Sequence, residues 1–253
     1  MRHSLLRAWA ACALLLVATS SFAVSPVNVV IGSSRDGSLH DLQRRVDRFI
    51  GYGRVDVTRD YIGARPGDPD PFTWVNTGSR AVSVQLLDRK SPRGTLGWYA
   101  EGFGVPALDG RLEGVVLPEY HMRGIRTSVQ IPATVTRFGF YVRYRGSVSG
   151  DGKVDGGVTH FTNRLLNDCG PFGNGAVHQP IDGDPQMLIY DVSRWLGPST
   201  YLVACEASDS GCPVGMGDGE SDNDYTDLIY LVSALGATPT RTASFTRLKA
   251  LFR

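Results

Sequence analysis

The chain has 253 residues, of which 26 are basic and 25 are acidic, and its formal net charge is +1. A balance this close to zero argues against nucleic acid as the partner, because proteins that neutralise phosphates carry a clear basic excess. The 30 glycines and 14 prolines favour many short strands joined by tight turns.

Residues 1–23 are predicted to be an export signal. Arg2 and Arg7 form a basic segment, residues 8–18 are apolar, and residues 21–23 form a small-x-small cleavage site. The apolar segment is too short to span a membrane, and no other stretch approaches the roughly 18 apolar residues of a transmembrane helix. We therefore expect a secreted chain without a transmembrane segment, extracellular or loosely associated with the cell surface, with the periplasm as the alternative.

A single domain over residues 24–236 is predicted to begin with one short amphipathic helix. Ser38 suits the N-cap position, and Gly51 and Gly53 end the pattern. Between them, apolar residues recur at helical spacing: Leu39, Leu42, Val46 and Phe49.

The remainder of the domain alternates between apolar and polar residues, which is typical of half-buried antiparallel strands. The clearest case is residues 82–86. Further strands are predicted at 27–31, 55–58, 96–99, 112–117, 129–131, 138–144, 187–190, 201–204 and 228–232. About ten short strands at this spacing indicate an all-β fold, an antiparallel β-sandwich or jelly roll. The basic residues 237–253 are predicted to be a disordered tail.

Three cysteines remain after cleavage of the signal: Cys169, Cys205 and Cys212. In an oxidising compartment two should pair. We favour a Cys205–Cys212 disulfide, because Cys205 ends an apolar strand and Cys212 lies in the glycine-rich segment that follows. Cys169 paired with either of them remains an alternative.

Residues 218–227 place five carboxylates in ten positions immediately before an apolar strand. Acids so close together repel one another unless a cation lies among them, and Ca²⁺ prefers oxygen ligands of this kind. If the strands at 201–204 and 228–232 are neighbours, acids that follow the first strand join the same place. The predicted ligands are Asp222, Asn223, Asp224 and Asp227, with Glu206 and Asp209 from the end of the preceding strand.

These segments also allow other interpretations. The acidic run as a solvated turn is the alternative to a calcium site, and residues 151–155 are better explained as a hairpin turn than as a second calcium loop. Ser210 lies in a sequence that superficially matches a hydrolase nucleophile, but no histidine has a recognisable catalytic context. A sugar-stacking platform is the remaining alternative, with aromatic candidates Trp74, Trp98, Tyr99, Phe103, Tyr120 and Trp195.

The acidic element resembles the signature of a bacterial extracellular family, domain of unknown function 4114. In that signature a Glu-Asp pair precedes Asp-x-Asp-[Tyr/Phe]-Asn-Asp and a valine-rich strand. Glu206 matches the first acid and residues 222–227 match the second element, whereas Ala207 and Thr226 depart from it. The resemblance implies a secreted or surface β-domain with calcium binding and no established catalysis.

The sequence therefore predicts a non-catalytic, calcium-binding β-sandwich with a structural or adhesive role at the cell surface or in the extracellular matrix. A calcium-dependent carbohydrate-binding module is the first alternative, with a glycan or a surface or matrix protein as partner. A secreted hydrolase that uses Ser210 is the second.

Overall fold

The structure, a computed structural model, describes residues 31, 41–69, 72–76, 80–90, 94–102, 106, 108–118, 123–144, 159–167, 186–206, 224–234 and 238–239. Within these residues it contains two antiparallel sheets and one short helix near the N-terminus. The predicted all-β sandwich is therefore confirmed.

Two α-helices, one short 3-10 helix (Arg164–Leu166) and eleven strands occur in the described ranges. Helix α1 is Asp41–Ile50 and the single turn α2 is Ser193–Leu196. The strands are β1 (Trp74–Val75), β2 (Arg80–Arg89), β3 (Gly94–Ala100), β4 (Glu113–Leu117), β5 (Arg126–Ile131), β6 (Arg137–Tyr144), β7 (Thr159–Phe161), β8 (Met187–Asp191), β9 (Thr200–Cys205), β10 (Leu228–Ala234) and β11 (Thr238–Pro239).

The two sheets differ in strand order. One has the order β11-β1-β6-β3-β4, with β7 paired to a different part of β6, and the other has the order β5-β2-β10-β9-β8. Alternate residues of the two sheets face each other and form the main core, as expected where antiparallel strands bury one face. Trp74, Phe138 and Phe140 from the first sheet meet Tyr201 and Tyr230 from the second.

Helix α1 covers the outer face of the five-stranded sheet. Leu42, Val46 and Ile50 form its buried stripe and belong to one cluster with Leu202 and Ala204 of β9. The opposite face of β9 belongs to the core between the sheets. Because both of its faces are covered, β9 is apolar at almost every position instead of alternating.

A β-bulge in β2 connects the sheet to this helix. Ile229 of β10 pairs with Asp88, but the next residue, Tyr230, pairs with Leu86, so Leu87 is the extra residue. The bulge lets Asp88 reach the helix-covered side, where its carboxylate lies 2.9 Å from Arg45 and 2.6 Å from Arg123. An almost fully buried acid thus joins α1 to β2 through charge-assisted hydrogen bonds.

The outer face of the six-stranded sheet carries two glycines under tyrosine rings. Gly97 pairs with Tyr141 and Gly139 pairs with Tyr99 in the same ladder. A Cβ atom on Gly139 would lie 2.5 Å from the Tyr99 ring, and one on Gly97 would overlap the Tyr141 ring. The absence of a side chain at both positions lets the rings lie flat on the neighbouring strand.

Two details of the predicted fold need correction. Residues 55 and 56 are irregular backbone and residues 57 and 58 begin a turn, so no strand forms here. The side-chain amide of Gln43 bonds the Val55 carbonyl and the Val57 N–H in place of a neighbouring strand. The sandwich also extends past residue 236, since Thr238–Pro239 pairs with β1. The predicted strand at 27–31, apart from Ile31, and the predicted tail from residue 240 onward lie outside the described ranges.

Candidate metal-binding site

Several strand ends meet at one end of the sandwich. Cys205, the last residue of β9, pairs with Leu228 at the start of β10 and with Met187 at the start of β8. Leu228 also pairs with Arg89 at the end of β2. The acidic connection between β9 and β10 therefore begins and ends at the sheet edge where β2 ends and β8 begins.

The backbone holds both ends of this connection against the sheet. The Glu206 N–H donates to the Gln186 carbonyl across 3.1 Å, which extends the ladder between β8 and β9. The Asp227 N–H donates to the Cys205 carbonyl at 3.1 Å, and the Asp227 carbonyl accepts from the Lys90 N–H at 3.0 Å. The first and last residues of the connection are therefore fixed by strand pairing.

Glu206 and Asp224 are brought together through Tyr225. Oε2 of Glu206 accepts the Tyr225 N–H at 3.2 Å, and the Glu206 side chain is completely buried. Tyr225 has φ of 52°, which is uncommon for a residue with a large side chain. Its ring packs in the cluster beneath α1, so burial of the ring and the bond to Glu206 together hold this conformation.

Asp224 is also buried, and both of its carboxylate oxygens have partners. Oδ1 accepts the backbone N–H of Thr226 at 2.8 Å and the Thr226 hydroxyl at 2.7 Å. Oδ2 accepts the ammonium of Lys90 at 2.7 Å. Lys90 keeps 40% of its side chain exposed whereas Asp224 keeps 1%, so a partly solvated cation neutralises a buried anion.

A small cavity opens next to the acidic connection. It measures about 20 Å³, enough for one water molecule, and its lining includes Arg89, Tyr144 and Asp227. The Tyr144 hydroxyl is buried and has no hydrogen-bond partner among the described residues. Burial raises the pKa of this hydroxyl well above its usual value, and the nearby Cys205, Asp227 and Glu206 raise it further. The cavity therefore lies in a poorly solvated part of the sandwich, close to these acidic groups.

The structure brings three of the predicted calcium ligands, Glu206, Asp224 and Asp227, to this end of the sandwich. The other three, Asp209, Asp222 and Asn223, lie outside the described residues. Within the described part of the chain, no three His, Cys, Asp or Glu side chains are grouped so that they could hold a metal ion. The calcium site therefore stays a prediction.

Sequence analysis did not identify Lys90 as part of this site. The contact with Asp224 depends on β2 lying beside β10, and these strands are separated by most of the chain. A basic pair after an alternating strand is the one local signal, and it does not identify the acid that it meets.

The predicted Cys205–Cys212 disulfide needs correction at Cys205, which is a free thiol in this structure. Its side chain points into the core between the sheets, where burial raises the pKa of the thiol well above the ordinary value. Since it is completely buried at the end of β9, the thiol faces core residues such as Tyr230 rather than the connection that follows. Cys169 and Cys212 lie outside the described residues.

Of the aromatic residues considered for a sugar-stacking platform, Trp74, Trp98 and Tyr99 are buried in the two sheets, so their rings are not available for stacking on a sugar. Trp195 is partly buried against the cluster under α1, and Phe103 and Tyr120 lie outside the described ranges. Ser210 and four of the five histidines also lie outside them, so the hydrolase alternative stays a prediction. His160 is buried on β7, with its ring 6.0 Å from that of Tyr144.

Comparisons with protein families, curated proteins and solved structures found no match to this chain. Among the helices that the structure describes, none has the length and apolarity needed to cross a membrane.

Proposed function

We propose that this protein is an exported, non-catalytic, calcium-binding β-sandwich with a structural or adhesive role at the cell surface or in the extracellular matrix. The observation that carries the proposal is the burial of Glu206 and Asp224 at the two ends of one acidic connection, where the amide of Tyr225 joins them. Buried carboxylates supplied from both sides of a connection suit a hard cation.

The remaining ligands would come from the same connection. Ca²⁺ takes six to eight oxygens, and backbone carbonyls can complete the shell. Between Glu206 and Asp224, the predicted ligands are Asp209, Asp222 and Asn223. Asp227 follows Asp224 in the sequence. The resemblance of this element to domain of unknown function 4114 supports the same proposal.

Lys90 has a definite role in this proposal. Without calcium, its ammonium neutralises Asp224. A calcium ion bound to Asp224 would displace the ammonium, and the exposed part of the lysine side chain gives it a route into solvent. Calcium and Lys90 would then be alternative counterions for the same carboxylate, so that calcium fixes the connection only where the ion is abundant.

Titration calorimetry and thermal unfolding of the chain from residue 24 onward test this proposal. Extracellular calcium modules bind with Kd of about 10⁻⁴–10⁻³ M. At about 100 times Kd, binding stabilises the fold by about 2.7 kcal/mol, which raises Tm by roughly 5–10 °C for a chain of this size. Equal Tm values in calcium and in EDTA would contradict the proposal.

Two variants locate the site. Asp222→Asn and Asp224→Asn should each remove most of the calcium-dependent rise in Tm, because each loses a charged ligand. Asp109→Asn is the matched control, since this aspartate lies in a solvent-accessible turn before β4. A response to calcium that survives both site variants would place the ion elsewhere.

A further inference from the structure

A second site is built on the outer face of the five-stranded sheet, away from the acidic connection. Helix α1 covers β8, β9 and part of β10, and it leaves the side of β2 and β5 open. A groove of about 280 Å³ runs over this open side, between Phe49 at the end of α1 and Leu196 in α2. Its volume is close to the lower limit of small-molecule sites, about 300 Å³.

A row of four hydroxyl residues crosses the sheet at one level. Ser83 pairs with Ser128 on one side and with Ser233 on the other, and Ser233 pairs with Thr200. Residues paired in this way project from the same face, about 4.8 Å apart. Ser83, Ser233 and Thr200 line the groove, and the hydroxyls of Thr200 and Ser233 lie 3.3 Å apart.

The adjacent row places a guanidinium beside these hydroxyls. Arg126 pairs with Gln85, and its Nη2 donates to Oε1 of Gln85 at 2.8 Å. This bond to a neutral amide fixes the guanidinium without neutralising it, and Arg126 forms no ion pair within the described residues. Among the residues that the structure describes, none of those lining the groove is acidic. A ligand that carries one carboxylate would therefore complement the charge of the groove.

Apolar side chains complete the groove. Leu231 pairs with Gln85 and therefore belongs to the same row. Leu87 also lines the groove. Leu196 forms the rim with 41% of its surface exposed, and Phe49 forms the opposite wall. Hydroxyls, a fixed cation and apolar surface in one cleft fit a ring that has polar edges and C–H faces.

We propose that this groove binds an acidic saccharide of one or two rings, with its carboxylate on Arg126 and its hydroxyls along the row from Ser83 to Thr200. None of these residues belongs to the acidic connection. Binding is therefore independent of calcium, and this proposal stands or fails separately from the calcium site.

Titration calorimetry with a galacturonic acid disaccharide, in EDTA, tests the proposal. We expect saturable binding whose affinity falls as salt is added. Arg126→Gln should lower this affinity at least about tenfold, because the charge-assisted pair is lost. Ser233→Val should lower it several-fold by interrupting the hydroxyl row. Arg111→Gln is the control for a surface charge change and should leave the affinity unchanged.

Two further probes separate the contributions to binding. The neutral galactose disaccharide should bind about tenfold more weakly than the acidic one, and acetate alone should bind far more weakly than either. The proposal is overturned if the acidic disaccharide does not bind, if Arg126→Gln binds it equally well, if acetate matches it, or if binding requires calcium. Circular dichroism of each variant verifies the fold, and Arg126 is exposed, so its replacement leaves the core intact.

Discussion

The backbone N–H of Tyr225 donates to Oε2 of Glu206 across 3.2 Å, although 18 residues separate them in sequence (225 − 206 − 1). This bond joins the start of the connection between β9 and β10 to its end. With Lys90 on Asp224, it concentrates buried charge at one point of the sandwich. The first prediction concerns the balance of that charge.

Replacing Lys90 by methionine should make stability depend on calcium. In EDTA the buried Asp224 loses its cation, and we expect the free energy of unfolding to fall by roughly 1–3 kcal/mol, less than for a fully buried pair because Lys90 is partly exposed. Calcium should restore most of this loss, since it no longer competes with the ammonium. Urea unfolding in EDTA and in calcium measures both values. A loss that calcium does not reverse would mean that Lys90 alone serves as the counterion.

Asp88 should contribute strongly to the attachment of α1. Asp88→Ala removes the buried carboxylate that Arg45 and Arg123 share, and we expect a loss of roughly 2–3 kcal/mol. Asp109→Ala removes an exposed partner of Arg111 and should change stability by less than about 0.5 kcal/mol. Urea unfolding of both variants gives the comparison. Equal effects would mean that the buried position of Asp88 adds nothing.

Gly97→Ala should destabilise the sandwich by roughly 1–3 kcal/mol, because the new methyl group forces the Tyr141 ring away from the strand. Gly102→Ala is the matched control, since a Cβ atom there meets no atom of the described part of the chain within 4 Å. Thermal unfolding of the two variants should show a clear fall in Tm only for Gly97→Ala. If Gly97→Ala has the Tm of the unmodified chain, the ring does not pack as described.

The protein should lose stability steeply at alkaline pH. Burial raises the pKa of five groups above their usual values: Tyr99, Tyr144, Tyr190, Tyr230 and Cys205. Above the ordinary pKa of the thiol, about 8.5, and of the phenols, about 10, the unfolded chain releases protons that the folded chain retains. The unfolded state then binds fewer protons, so the free energy of unfolding falls as pH rises, by up to about 1.4 kcal/mol per group and pH unit.

Urea unfolding between about pH 7 and pH 11 measures this slope. Tyr230→Phe should make it shallower, because it removes one retained proton. Tyr52→Phe is the control substitution, because Tyr52 is 93% exposed and its replacement removes no buried hydroxyl. A free energy of unfolding that stays constant up to about pH 11 would contradict the burial of these groups.

Local patterns were sufficient to predict the elements that pack by a regular period. The spacing of Leu42 and Val46 predicted the buried stripe of α1, and the alternation of Val82, Val84 and Leu86 predicted the core face of β2. Each pattern follows from burial of one face, so it can be read without knowledge of the partner.

Features that depend on the pairing of distant strands could not be predicted in this way. The ion pair between Lys90 and Asp224 requires β2 beside β10, and the bulge at Leu87 depends on the register of those two strands. Val55 and Val57 have the spacing of a strand, but the side chain of Gln43 occupies the position of a neighbouring strand. The thiol of Cys205 is free because the side chain lies on the face of β9 that packs in the core between the sheets. Composition does not reveal which face of a strand a residue occupies.

The connection between β9 and β10 has a consequence for how such a protein can diversify. Its two ends are held by strand pairing at Cys205 and Leu228 and by the buried contacts of Glu206, Asp224 and Tyr225. Doubling the length of a closed loop costs only about 0.6 kcal/mol. Residues added between Glu206 and Asp224, with these contacts kept, should therefore cost little folding free energy, and protein engineers could insert a reporter peptide there.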